Sequence, residues 1–144
     1  MRINDVLRGK PRHDVVTIQP GASVRELVAL LAEHNVGALI VSVDGTSVDG
    51  IVSERDVVRH ALDDGLLGAT VDSIMTSEVQ TCEGTTLVDE LMQVMTEHRI
   101  RHVPVLTDGR LSGIISIGDV VKSRIGELEF ERDQLDHYVH TSQT

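Results

Sequence analysis

GIVSERDVV at residues 50–58 is written again, with changes, as GIISIGDVV at 113–121. Each copy opens on Gly and two apolar residues, sets a Ser three places before an Asp, and closes on Val-Val. Working outward, an offset of 64 lays Val15, Thr17, Val24, Glu26 and Leu27 on Val79, Thr81, Val88, Glu90 and Leu91. The same offset lays Glu33, His34, Val41, Asp44 and Gly45 on Glu97, His98, Val105, Asp108 and Gly109. One residue is then lost, and an offset of 63 lays Gly50, Ile51, Ser53, Asp56, Val57 and Val58 on Gly113, Ile114, Ser116, Asp119, Val120 and Val121. A collinear path of identities with a single gap defines two copies of one supersecondary unit. They join through DDGLLGAT at 63–70, a stretch rich in turn residues.

Each copy predicts the same elements. Val15–Ile18 and Val79–Cys82 read as short strands. Val24, Leu27, Val28 and Leu31, like Val88, Leu91, Met92 and Met95, follow helical i, i+3, i+4, i+7 spacing. Pro20-Gly21-Ala22-Ser23 and Glu83-Gly84-Thr85-Thr86 precede these helices as turn-and-cap stretches. Ala38–Val43 and His102–Leu106 are apolar strands. Asp44-Gly45 and Asp108-Gly109 are hairpin signals leading to return strands through Ile51-Val52 and Ile114-Ile115. A second helix starts near Glu54 and near Ile117. Ile3–Leu7 (INDVL) is echoed by Val71–Met75 (VDSIM), which gives each repeat its own lead-in. One such unit has too little apolar surface to stand alone, so the two are expected to pack sheet to sheet around a shared core. The fold class is α+β: two β-α-β-β-α repeats in a pseudo-twofold pair, with a C-terminal helix. The expected boundaries are 3–65 and 70–125 for the repeats and 126–144 for the extension.

Composition sets the limits. Of 144 residues, 40% are apolar but only 1% aromatic, so aliphatic side chains must fill the interior. No apolar run approaches the roughly 20 residues of a membrane span, and MRINDVLRGK does not read as a signal peptide. The single Cys82 forms no internal disulfide, which suits a reducing, cytoplasmic setting. A net charge of −10 disfavours DNA and anionic membranes, although a local basic pocket survives it.

Ser three residues before an acidic residue at a helix start is a capping arrangement, worth about 0.5–2 kcal/mol. Capping boxes favour Glu or Gln at that place, yet both copies carry Asp. A short carboxylate can point outward to a vicinal diol such as ribose, and the Ser hydroxyl and free backbone N–H groups suit a phosphate. Capping and ligand binding both fit the pattern.

The whole unit resembles the cystathionine β-synthase (CBS) domain. The resemblance rests on a first strand ending in Thr, a helix ending EHN or EHR, the strand HVPV and then G-h-h-S-x-x-D-V-V (h apolar), over about residues 3–125. Two in tandem are similar to a Bateman module. The resemblance implies a regulatory, non-enzymatic protein with two clefts between the repeats for adenosine ligands such as AMP, ADP, ATP, NAD or S-adenosylmethionine, AMP foremost. No cofactor is required and no metal is implied. One cleft would use Ser116 and Asp119 with Val16, Thr17 and Ile18, and Arg101 and His102 would serve as phosphate contacts. The other would use Ser53, Arg55 and Asp56 with Gln80, Thr81 and Cys82. The first repeat has Gly37-Ala38 where the second has Arg101-His102, so the Asp119 cleft is expected to be the better anion site. Lys10, Arg12 and His13 read first as a solvated basic loop, and otherwise as extra charge for that cleft.

The remaining features are expected to be structural. His34 and His98 sit at equivalent helix ends, where they suit the dipole, and no second metal ligand follows at i+4. Cys82 reads as a strand residue, and Met92 and Met95 as core. No GxSxG, Walker A or GxGxxG motif is present. In the last segment Ile125, Leu128, Leu135 and Val139 hold heptad-like places interrupted by Arg132, near Phe130 and Tyr138. A charged amphipathic helix there either pairs with a second copy, making a homodimer, or folds back onto its own module. The expected output is therefore a change seen by a partner chain or by a separate effector protein. The competing expectation is a structural or interaction module with no small-molecule ligand.

Overall fold

The structure is a computed structural model describing residues 1–11 and 14–142, with side chains to His140. It contains two three-stranded sheets, each with the same topology. In the first, β1 (Thr17–Ile18) runs parallel to the central β2 (Ala38–Val41), which pairs antiparallel with β3 (Gly50–Ser53). In the second, β4 (Cys82–Glu83) runs parallel to the central β5 (His102–Thr107), which pairs antiparallel with β6 (Arg110–Ser116). The helices are α1 (Ile3–Arg8), α2 (Val24–His34), α3 (Glu54–Arg59), α4 (Val88–His98) and α5 (Ile117–Ser142).

The apolar stripes predicted for α2 and α4 face inward except at Val28, which is exposed. Val24, Leu27 and Leu31 pack with Leu39, Val41 and Val52. Val88, Leu91 and Met95 pack with Val103, Val105 and Ile115. The interior is therefore two clusters, one per sheet, rather than the single shared core expected. Ala38 and Ile40, on the other face of β2, and Pro104 on β5 are also buried.

The lead-ins are where the sequence reading is corrected. Neither stays with its own repeat. Ile3 and Val6 of α1 lie in the second core, while Val71 and Ile74 lie in the first. The exchange is nearly symmetric in its hydrogen bonds. Ile3 N donates to Thr86 O and Asn4 N to Gly84 O, both at 2.9 Å, as Val71 N donates to Ala22 O (2.8 Å) and Asp72 N to Pro20 O (3.0 Å). Val88 N at the start of α4 donates to Met1 O, and Val24 N at the start of α2 donates to Ala69 O. Each lead-in thus satisfies helix N–H groups that would otherwise lack partners.

This exchange explains the glycines of the quoted nonapeptides. A Cβ on Gly50 would lie 2.6 Å from Met75 Sδ, and one on Gly113 would lie 2.8 Å from Leu7 Cδ2. Met75 and Leu7 are the last residues of the two lead-in motifs. The two Gly are close-approach sites, at which any side chain collides with the exchanged segment.

Two differences between the repeats have local causes. Asp108 and Gly109 both have positive φ (52° and 77°), as a tight two-residue hairpin requires. Asp44-Gly45 opens a longer loop instead, because the Asp44 carboxylate accepts from Thr46 N (2.9 Å) and Ser47 N (2.8 Å). In repeat 1, β1 pairs Thr17 with Ile40. In repeat 2 the matching partner would be Pro104, which has no N–H, so β4 starts one residue later at Cys82.

Candidate functional site

Both Ser-x-x-Asp stretches fold as caps. Ser53 ends β3 in extended conformation, and Asp56 N donates to its Oγ (3.3 Å) while Ser53 N donates to Asp56 Oδ2 (2.8 Å). Asp119 N donates to Ser116 Oγ (3.1 Å), and Ser116 N donates to Asp119 Oδ2 (2.9 Å). The Asp side chain is long enough to close the box, so of the two arrangements that fit the pattern the capping one is formed. The carboxylates nevertheless line cavities. Capping holds them at the cavity wall.

The first cleft, of about 400 Å³, is formed by Ser116 and Asp119 with Val16, Gly37, Ala38 and His102. Val36, Leu39 and Ile114 give it an apolar side. Lys10, at the end of the exchanged α1 segment, reaches in. Its Nζ donates to Asp119 Oδ2 and to Ile114 O, both at 2.9 Å. The ion pair is mostly buried, with each side chain 22% exposed. Burial pushes the Asp119 carboxyl up, but the Lys10 ammonium and the Ser116 N–H outweigh it and hold the carboxyl below its ordinary value. Lys10 is thus an internal counter-ion, not a solvated loop residue, and brings its charge to the Asp119 cleft as the alternative reading had it. Arg12 and His13 lie outside the described residues.

The second cleft, of about 480 Å³, collects Ser53, Arg55 and Asp56 with Thr76. Arg59, Arg99 and Arg101 also line it. Here the structure departs most from expectation. Arg101 was assigned to the Asp119 cleft but lines the Asp56 cleft. Neighbouring residues of an extended chain point to opposite sides, so Arg101 and His102 part company at the start of β5. Gly37, Ala38 and His102 line both clefts. Burial holds the His102 imidazole below its ordinary value, against the pull of the Asp119 and Glu54 charges. The Cβ that Gly37 lacks would sit 3.4 Å from His102 Cε1, so the glycine leaves room for the ring.

Five expected residues lie elsewhere. Thr17 is half-buried within β1 and Ile18 is inside the first core; neither lines the first cleft. Gln80 and Thr81 are exposed, and Cys82 packs against the second core; none of the three lines the second cleft. Burial, with the Glu83 charge, pushes the Cys82 thiol up to about 11, which leaves it un-ionised and unreactive at neutral pH. Arg59 and Arg99 escaped notice because their counterparts in the other repeat, Lys122 and Asn35, are not identical to them; comparing unmatched positions would have found them. Among the described residues no group of three or more His, Cys, Asp or Glu could hold a metal ion, and no helix is long and apolar enough to cross a membrane.

Two repeats with exchanged lead-ins, and a cleft at each capped Asp, define a tandem-repeat architecture with two clefts. The family model for the CBS domain matches residues 3–63 and 71–126, and the chain belongs to that family. It is 38% identical over 123 residues to CBS domain-containing protein CBSX3, mitochondrial, of Arabidopsis thaliana, covering 81% of this chain and 60% of that one. The chain therefore spans somewhat under two thirds of that relative's length. Among solved structures, the CBS-domain protein ATU1752 of Agrobacterium tumefaciens is 44% identical with a TM-score of 0.80, covering 86% of this chain and 99% of that one. The CBS domain protein PAE2072 of Pyrobaculum aerophilum, complexed with AMP, is 28% identical with a TM-score of 0.74, covering 83% and 89%.

Proposed function

We propose that this chain is a non-enzymatic regulatory module that binds an adenosine nucleotide, AMP foremost, in the Asp119 cleft. The observation that carries the reading is the cleft itself. An apolar slot of ligand size ends at a carboxylate fixed by Ser116 N–H and paired to a movable ammonium. The base would lie against Val16, Val36 and Ile114, and the ribose hydroxyls would donate to Asp119. Ribose competes with Lys10 for that carboxylate, and the displaced Nζ is then free to meet the phosphate. The AMP complex of the Pyrobaculum relative supports the ligand class.

Lys10 follows α1, which packs against both β6 and α5. Displacing Lys10 would therefore alter the seating of α1 and the base of α5, a route from cleft to surface. The reading includes a homodimer, an effector protein as receiver and a cytoplasmic setting. Calorimetric titration with AMP, ADP, ATP and NAD tests it. AMP binding that Asp119→Ala abolishes supports it, and no heat from folded protein with any of the four refutes it. A pure interaction module is the second reading, favoured by the capping geometry of both Asp. It predicts that Asp119→Ala lowers the melting temperature with no binding phenotype.

A further inference from the structure

The Asp56 cleft differs from its twin in one respect that the repeat does not require. Arg55 and Arg59 from α3, Arg99 from the residue after α4 and Arg101 before β5 all converge on it. The pseudo-equivalent positions in the other repeat are Gly118, Lys122, Asn35 and Gly37. A chain of net charge −10 with 13 basic residues thus places four guanidinium groups on one cavity. Among the described residues none of the four takes part in a salt bridge. Three of them, Arg55, Arg99 and Arg101, also line an adjoining cavity of about 370 Å³, so the basic surface continues beyond the cleft. Two carboxylates, Asp56 and Glu54, share the lining with the four arginines and are outnumbered by them. Asp56 turns Oδ2 back to Ser53 N and Oγ, and Glu54 lies toward Gly37, its Oε1 3.5 Å from where a Cβ there would sit. Arg99 holds a left-handed conformation (φ 54°), which in the first repeat is taken by Asn35, a residue that adopts it more readily. An arginine there is unfavourable for the turn itself.

We infer that the Asp56 cleft is an oligophosphate site, built for the di- or triphosphate arm of a ligand, while the Asp119 cleft takes a nucleoside or its monophosphate. Guanidinium groups match phosphate oxygens in bidentate pairs, and several on one concave wall favour an anion with several phosphates over a single one. Lys10, the one described cation in the other cleft, is already committed to Asp119. The assignment of nucleoside to one cleft rests on the function proposed above; the oligophosphate assignment does not.

The test is calorimetric titration of the full chain with inorganic tripolyphosphate, orthophosphate and adenosine in parallel. Tripolyphosphate should bind and orthophosphate should bind at least about tenfold more weakly. The double variant Arg55→Gln, Arg101→Gln should weaken tripolyphosphate by about a hundredfold, since each lost charge-assisted contact accounts for roughly a tenfold factor. Lys10→Met should leave tripolyphosphate affinity within about twofold. These exposed arginines are not part of either core, and an unchanged melting temperature confirms that the double variant is folded. Tripolyphosphate affinity unchanged in the double variant, or no tripolyphosphate binding at all, overturns the inference. Adenosine without tripolyphosphate binding refutes this inference alone; tripolyphosphate binding with neither adenosine nor AMP binding upholds it and refutes the nucleotide reading of the Asp119 cleft.

Discussion

Gly50→Ala tests the exchange of lead-ins directly. The added Cβ would meet Met75 Sδ at 2.6 Å and the Thr76 carbonyl oxygen at 2.9 Å. The sulfur sits on a flexible side chain and can rotate away. The carbonyl cannot, because Thr76 and Ile51 exchange both backbone hydrogen bonds at 2.9 Å. Overpacking of this kind costs about 1–3 kcal/mol. Removing a glycine from the unfolded chain returns about 0.4–1 kcal/mol. The net loss is roughly 1–2 kcal/mol, a fall in melting temperature of about 3–8 °C for a chain of this size. The atoms nearest an added Cβ in Gly113→Ala all belong to the Leu7 side chain, the closest at 2.8 and 3.1 Å. Trimming the partner should therefore rescue one variant and not the other. Leu7→Val restores Gly113→Ala toward its own single-variant baseline, whereas Met75→Val leaves Gly50→Ala destabilised. Calorimetric melting of the wild type and these six variants decides it. A Gly50→Ala protein as stable as wild type, or one fully rescued by Met75→Val, refutes the reasoning.

Further outcomes follow from the same structure. Ile3→Ala, on a helix at the N-terminus yet fully buried, should cost about 2–5 kcal/mol in urea unfolding, as a core deletion does; a loss under 0.5 kcal/mol would mean that α1 is not seated on the second core. Lys10→Met leaves Asp119 in its buried place without its ammonium, so its carboxyl rises and stability at pH 7 falls by about 1–2 kcal/mol. Because the Asp119 contribution is present above the unfolded value and lost as pH falls through the folded one, raising the folded value narrows that window from its acid side and makes the acid loss smaller in the variant, which an NMR titration of Asp119 checks. For His102 the unfolded chain takes up the proton first, so stability is full above pH of about 6.5 and declines as pH drops below it; His102→Asn should flatten melting temperature over that interval. Cys82 should react with iodoacetamide at pH 8 far more slowly than a free thiol.

The repeat made the element order legible, because periodicity and turn chemistry are local signals. Helices α2 and α4, the start of α3 and α5, and the Asp108-Gly109 hairpin follow from their own residues. What escaped was non-local. INDVL and VDSIM carry no mark of which sheet will receive them, since either sheet offers the same apolar face. The site shows the same division. Ser116 and Asp119 were readable from spacing, but Arg101 went to the opposite cleft because side-chain direction alternates at a strand start. Lys10 was legible only as an alternative to a solvated loop, because its partner lies far along the chain, at Asp119. The C-terminal helix was expected to pair or to fold back. It is a continuation of the second repeat's last helix, and Phe130, Leu135 and Tyr138 remain exposed on it, so it does not fold back.

The crossing of the two short segments also bears on how the chain comes to be folded. When the first repeat leaves the ribosome, its sheet still lacks Val71 and Ile74, and α1 has nothing to rest on until Gly84, Thr86 and the second sheet have been made. The first core can close once Met75 has been made, whereas the second must recruit α1 from the far end of the chain, so the two halves stay tied to each other by the crossed segments. The melting of this chain should accordingly be a single cooperative event, with calorimetric and van't Hoff enthalpies in agreement, and lesions placed in opposite halves should lower the same transition.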